Sequence, residues 1–105
     1  MPNHSECTDK KHIIDLIHFV WQSLKNESEP FMRKWKKALL LSAVRSFQDG
    51  SLYSCETYLQ LALDANSAAD GAAKHSDLIH QRAEEIEDDA LDSIITPIIG
   101  NEQFN

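Results

Sequence analysis

The chain has 105 residues, 42% of them apolar and 26% charged, with three glycines and three prolines, which excludes disordered, collagen-like and low-complexity classes. Its length suits one domain built on one modest core. Ten Lys and Arg against seventeen Asp and Glu give a formal charge of -7, a poor starting point for approaching a phosphate backbone.

No stretch alternates apolar and polar residues as a strand would, whereas four stretches repeat apolar residues at three and four positions. The sequence predicts an all-α fold, a small four-helix bundle or antiparallel helical hairpins. It forms a single helical domain over 1–105, with a polar leader at 1–8 and a C-terminal tail at 97–105. The first helix spans about Asp9 to Asn26, capped by Thr8, with Ile13, Ile17, Val20 and Leu24 as its buried stripe. Ile14, Leu16, Phe19 and Trp21 widen that stripe. The second helix opens at Ser28-Glu29-Pro30, a capping residue, an early acid and a first-turn proline, and closes at Asp49-Gly50. Gly50 supplies a left-handed stop.

Ser51 caps a third helix from about Leu52 to Ala65, whose inner face is Leu52, Cys55, Leu59 and Ala62 or Leu63. The brief Asp49-Gly50-Ser51 joint makes the second and third helices neighbours in a hairpin. This pair, with Trp35, Gly50, Tyr58 and Leu61-Ala62-Leu63-Asp64, is similar to a tetratricopeptide repeat over about a third of the chain, without a second copy. The resemblance implies a helical hairpin. A turn is expected near Asn66, with Ser67 and Asp70 as a loose capping box and Gly71 weakening the helix that follows. The fourth helix runs to about Ile95 on a stripe of Ile79, Ala83, Ile86, Ala90 and Ile94. Pro97 ends it, leaving Ile98, Ile99 and Phe104 in a docked tail.

The longest uninterrupted apolar run, Ala38-Leu39-Leu40-Leu41, falls far short of the ~20 residues that cross a bilayer, so no membrane span is expected. No hydrophobic stretch follows the early charges Glu6, Asp9, Lys10 and Lys11, so no secretory signal is expected and a cytoplasmic setting follows by default. Cys7 and Cys55 are too few for a disulfide framework or a zinc set, and both are read as reduced thiols.

The tetrapeptide Asp-Leu-Ile-His occurs twice, at Asp15 to His18 and at Asp77 to His80. Dinuclear bundle sites pair two acid-x-x-His helices with one carboxylate from each of the other two. Here the second helix holds no acid from Pro30 to Gln48, and Asp15 and His18 fall opposite Ile13, Ile17 and Val20. The repeat is read as Leu-Ile facing inward and Asp-His facing water, with no metal or cofactor. The chain also resembles histidine phosphotransfer domains in size and charge. However, neither His75 nor His80 is followed by the lysine and glycine of that family. A metal- or phosphoryl-handling bundle using His18 and His80 stands as the alternative function. No Gly-x-Ser-x-Gly motif or phosphate-cradling glycine loop is present, and Cys55 lies on a core stripe with no histidine nearby in sequence, so no catalytic residues are assigned.

Two features carry more information. In the second helix Phe31, Trp35, Ala38 and Leu39 form one apolar stripe, while Leu40, Val44 and Phe47 form another on roughly the opposite side. A helix that is apolar all round buries both faces, either at the centre of its own fold or against a second protein or copy. Charge is also divided along the chain. Residues 1–50 hold eight bases and six acids, and residues 51–105 hold two bases and eleven acids. The bases of the second helix and the acids from Glu84 to Asp92 can face each other, or the acids can form a solvated outer face. Arg33, Lys34, Lys36 and Lys37 around Trp35 also suggest a nucleic-acid-associated regulator, against which the acidic half argues.

The expectation from sequence is a non-enzymatic, cytoplasmic protein-interaction module: an adaptor, inhibitor or chaperone-like protein that binds another protein or a second copy of itself. Leu40, Val44 and Phe47 form the centre of the expected interface, Trp35 anchors its margin, and Arg33, Lys36 and Lys37 form a charged rim.

Overall fold

The computed structural model describes the backbone of residues 10–103 and the side chains of residues 10–100, so Cys7, Thr8, Asp9 and Phe104 lie outside the described residues. The first helix, α1 (Lys10–Asn26), buries Ile13, Ile14, Ile17, Val20, Trp21 and Leu24 along the expected stripe. Leu16 is half-buried, while Phe19 is 60% exposed and does not belong to the core. A tight turn follows, in which the Glu27 carboxylate accepts the Glu29 N–H at 3.1 Å. The second helix, α2 (Pro30–Gln48), is capped by Glu29, whose carboxylate accepts the Met32 N–H at 2.7 Å. The cap thus lies one residue later than the expected Ser28. A carboxylate there also favours the positive end of the helix dipole.

At the other end of α2 the chain turns through Gly50 at φ +87°, with the Ser51 N–H on the Ser46 carbonyl and the Gly50 N–H on the Phe47 carbonyl. This double closure satisfies carbonyls that the helix end would leave open, and it needs a residue that accepts positive φ. The chain reverses there into α3 (Leu52–Ala62), which buries Cys55, Leu59 and Ala62 against α2. Leu63 is exposed, which settles the choice between it and Ala62. The hairpin implied by the second and third helices is present.

The expected fourth helix is instead three. The Asp64 carboxylate accepts the N–H groups of Asn66 and Ser67 and the Ser67 hydroxyl, and so starts α4 (Ala65–Lys74) two residues before the expected turn. His75, at φ -134°, ends α4 and begins α5 (Ser76–Ala83). A second break falls at residues 84–87, before α6 (Asp88–Gln103). An unbroken helix would stack Glu84 on Asp88 and Glu85 on Asp89 at i, i+4, a like-charge arrangement that costs free energy. With the break, Glu85 and Asp88 each meet cations of α2. The break also shifts the inward phase by one residue. Ala83 is buried and Ile79 and Ile86 half-buried, but α6 then turns Leu91 and Ile95 inward, leaving Ala90 exposed and Ile94 half-buried.

Pro97 lies inside α6 rather than ending it. Its missing N–H frees the Ser93 carbonyl, and Ser93 and Pro97 both lie on the exposed side, where solvent can take the lost bond. Ile98 and Ile99 therefore belong to a docked helix and pack against the core.

All five other helices touch α2, which runs through the centre of the fold. Its indole at Trp35 joins three elements. The ring Nε1–H donates to the Leu61 carbonyl at 3.1 Å, in the last turn of α3. The neighbouring Phe31 ring is tilted against it at 6.3 Å, and α4 reaches its face through Gly71. A Cβ at position 71 would come within 3.0 Å of Cε3 and Cη2 of that ring. Gly71 is thus a close-approach residue, which the reading of it as a helix weakener missed. Among the described residues there are six helices and no strand, and no helix is long and apolar enough to cross a membrane. Gly71→Ala is expected to lower stability by about 1–2 kcal/mol, as overpacking against Trp35 outweighs the gain in helix propensity. Urea denaturation reads this as a lower midpoint, and an equal or higher midpoint contradicts the packing described.

Candidate interaction site

The seven α2 residues expected to form an interface are all engaged inside the chain. Leu40 and Val44 are 0% and 1% exposed, enclosed with Leu91, Ile95 and the α1 stripe in one core cluster. Phe47 is half-buried against the same cluster, with the Lys10 ammonium 5.8 Å above its ring. Trp35 is the internal junction described above. The second stripe of α2 is therefore core, because α1 and α6 supply the cover that a second protein was expected to give.

The charged residues are clips between helices rather than a rim. The Arg33 guanidinium donates to the Leu24 carbonyl at 2.9 Å, in the last turn of α1, and to Asp88 at 2.9 Å, at the start of α6. Lys37 meets the same Asp88 at 2.8 Å. Lys36 binds Glu27 at 2.7 Å and the Ser23 hydroxyl at 2.8 Å. Arg45 meets Glu85 at 2.9 Å, and Arg82 joins Glu85 at 3.2 Å and the Ser42 hydroxyl at 2.8 Å. The basic and acidic segments thus face each other. Of the four bases that suggested a nucleic-acid surface, Arg33, Lys36 and Lys37 are held by carboxylates, and Lys34 points its ammonium at Nδ1 of His80.

These contacts hold the carboxylates below their ordinary titration range. For Glu27 the Lys36 hydrogen bond dominates, for Asp88 the Lys37 hydrogen bond and then Arg33, and for Glu85 the Arg45 hydrogen bond and then Arg82. The Cys55 thiol is buried and its pKa pushed up to about 12, first by desolvation and then by the Glu56 charge. It is a packing group.

The two Asp-Leu-Ile-His segments are not alike. In α1 Ile17 is buried, Leu16 half-buried, and His18 bonds Gln22 at 3.3 Å. In α5 Ile79 is half-buried but Leu78 is 56% exposed, so only one of the expected inward pair is covered. His80 lies between Lys34 and Glu84, the latter at 3.7 Å. Among the described residues no group of three His, Cys, Asp or Glu side chains converges as metal ligands would.

Three clefts surround α5. The largest, about 480 Å³, is lined by Pro30, Phe31, Lys34, Ser76, Asp77 and His80, none of them buried, so a molecule there stays largely hydrated. A second, about 250 Å³, lies over the Arg33, Lys37 and Asp88 clip. The third, about 220 Å³, opens between α2, α3 and α5, with buried Ala38 and Leu39 as floor and Tyr58, Leu78 and Ile79 as walls. Ser42 and Arg82 form its polar end and are already bonded to each other. At this volume it lies below the roughly 300–1,000 Å³ of sites that enclose small molecules, and suits apolar side chains that project from a partner. Sequence reasoning missed this groove. Its one signal was Leu78, a leucine one step off the stripe of a short polar helix.

No protein-family model, curated protein or solved structure matches the chain.

Because the three carboxylates are stabilised in their charged form, their contribution is present above about pH 4.5 and is lost as pH falls through their lowered values. Asp88→Asn is expected to reduce stability at neutral pH and to flatten the loss between about pH 5 and about pH 3. Thermal melts across that range check it, and an unchanged acid slope contradicts the Asp88 clip.

Proposed function

We propose that the chain is a non-enzymatic protein-interaction module, an adaptor, inhibitor or chaperone-like protein, and that its contact surface is the groove between α2, α3 and α5. The observation that carries this reading is Leu78, 56% exposed beside a cavity whose floor is the buried Ala38 and Leu39. An exposed leucine alone is ordinary. An exposed leucine on the wall of an apolar, side-chain-sized depression is the form that anchor pockets take at protein interfaces. Leu40 and Val44 of the surface first expected on α2 are spent within the fold, and the groove is one place where α2 meets open space. A cytoplasmic setting accords with a chain whose cysteine count gives no disulfide framework.

Leu78→Asp tests the proposal, because a residue so exposed can accept a charge without unfolding the domain. The expected result is an unchanged melting temperature together with loss of a partner that wild type and Phe19→Asp both retain in quantitative capture from the native cell. A partner held equally by all three proteins contradicts the assignment of the groove.

A further inference from the structure

We propose that the groove receives a helical segment of another protein that carries a leucine-like anchor and, one turn further along the same face, an Asp or Glu whose carboxylate meets Arg82. This rests on the groove being the contact surface, and it adds the chemistry of the partner.

The spacing follows from the lining. On α2 the lining passes from Ala38 and Leu39 to Ser42, and on α5 from Leu78 and Ile79 to Arg82. Each step is one helical turn, so each helix offers apolar surface first and a polar group about 5–6 Å beyond it. The two polar groups lie at the same end, since Nη1 of Arg82 donates to the Ser42 hydroxyl at 2.8 Å. A third helix laid along the trough matches this with an anchor at i and a polar residue at i+3 or i+4.

The sign of the charge follows from that polar end. Arg82 is the one charged residue of the lining, and its side chain is 37% exposed. A guanidinium has only donors. Nη1 serves Ser42 and Nε serves Glu85 at 3.2 Å, while Nη2 meets no protein acceptor among the described residues. Glu85 does not cancel the charge, because Arg45 also binds it at 2.9 Å, and two cations sharing one carboxylate leave a net positive charge. No acid lines the groove: Asp77 and Glu84 open onto the other two clefts, and Glu56 of α3 is directed to His12 at 3.4 Å. A carboxylate arriving at this end gains a charge-assisted hydrogen bond on Nη2, and an ammonium there meets like charge.

The chain as a whole carries a charge of -7, so its long-range field does not draw an acidic partner in. The pairing acts at contact, inside a screening length of about 8 Å at physiological salt, and it selects which segment stays bound. A second copy fits less well, because an isologous pair presents the same lining twice and that lining holds no carboxylate.

The test uses the full-length protein and three labelled helical peptides that differ at one position. Each carries leucines at i and i+3, with glutamate, glutamine or lysine at i+7, one turn beyond the second leucine. Fluorescence anisotropy gives affinity at about 0.15 M salt, and amide chemical shifts of Ala38, Leu39 and Ile79 locate the site. The expected result is that the glutamate peptide binds at least roughly tenfold more tightly than the lysine peptide, and severalfold more tightly than the glutamine one. This comparison on the wild-type protein decides the sign without any variant. Arg82→Gln then removes the preference for glutamate over glutamine, Glu85→Gln widens it by taking away the competing carboxylate, and Leu78→Asp abolishes binding of all three.

If the three peptides bind equally, or the lysine peptide binds best, and Leu78→Asp abolishes binding, the groove stands and the acidic partner is overturned. A glutamate preference that survives Arg82→Gln overturns it as well. If no peptide binds, or Leu78→Asp changes nothing, the groove itself is overturned and the proposed function with it. A dimer in solution that Leu78→Asp dissociates assigns the groove to a second copy, which also overturns this proposal.

Discussion

A small domain has to cover the whole circumference of an apolar helix with its own few elements, and this constraint organises the molecule. From Trp35 to Val44, α2 buries seven side chains that together occupy most of its girth. α1 and α3 pack along it, α6 joins them over Leu40 and Val44, and the short helices α4 and α5 close what remains. The covering helices differ in what they contribute. α1 brings six buried side chains, whereas α5 brings only Ala83. That thin cover explains why the groove lies there. An eight-residue helix anchored by one small side chain leaves part of Ala38 and Leu39 against open space.

Electrostatics completes what burial leaves loose. Basic and acidic segments that lie far apart in sequence meet at Asp88 and Glu85, each held by two cations. Ion pairs at this degree of exposure contribute little to stability individually. Their consequence is placement. Arg33 reaches from the end of α1 to the start of α6, Lys34 meets α5 at His80, and Arg45 holds the turn after α5 at Glu85. Arg33 and Arg45 stay 40% and 53% exposed within these pairs, so the face they share with Asp88 and Glu85 carries both signs of charge.

Much of the first half of the fold was legible in sequence. The stripe from Ile13 to Leu24, the proline in the first turn of α2 and the left-handed stop at Gly50 each rest on local chemistry, and each is found. The second half was not legible, for identifiable reasons. Ile79, Ala83 and Ile86 continue in helical phase to Ala90 and Ile94, so periodicity alone reports one helix where the chain breaks at 84–87 and lets Glu85 and Asp88 meet cations of α2. Pro97 is tolerated because its lost bond falls on an exposed face, a fact about tertiary placement. Gly71 owes its place to an indole thirty-six residues earlier in the chain, which no local rule reveals. For the site, the helical wheel identified two apolar faces on α2 but held no count of the helices available to cover them. That count rose when the fourth helix became three, and of the expected interface Leu40 and Val44 became core while Phe47 is half-buried against it. Leu78 was visible in sequence, but its exposure depends on the short reach of α5.

α2 is sheltered by its own chain, and the groove is the surface proposed for a partner. Amide hydrogen exchange of Leu40 to Val44 over a wide dilution series is the most direct measurement. Protection equal to that of global unfolding, and independent of protein concentration, is the predicted result. Protection in that segment that falls as the protein is diluted would contradict it, since a second copy would then be supplying the cover.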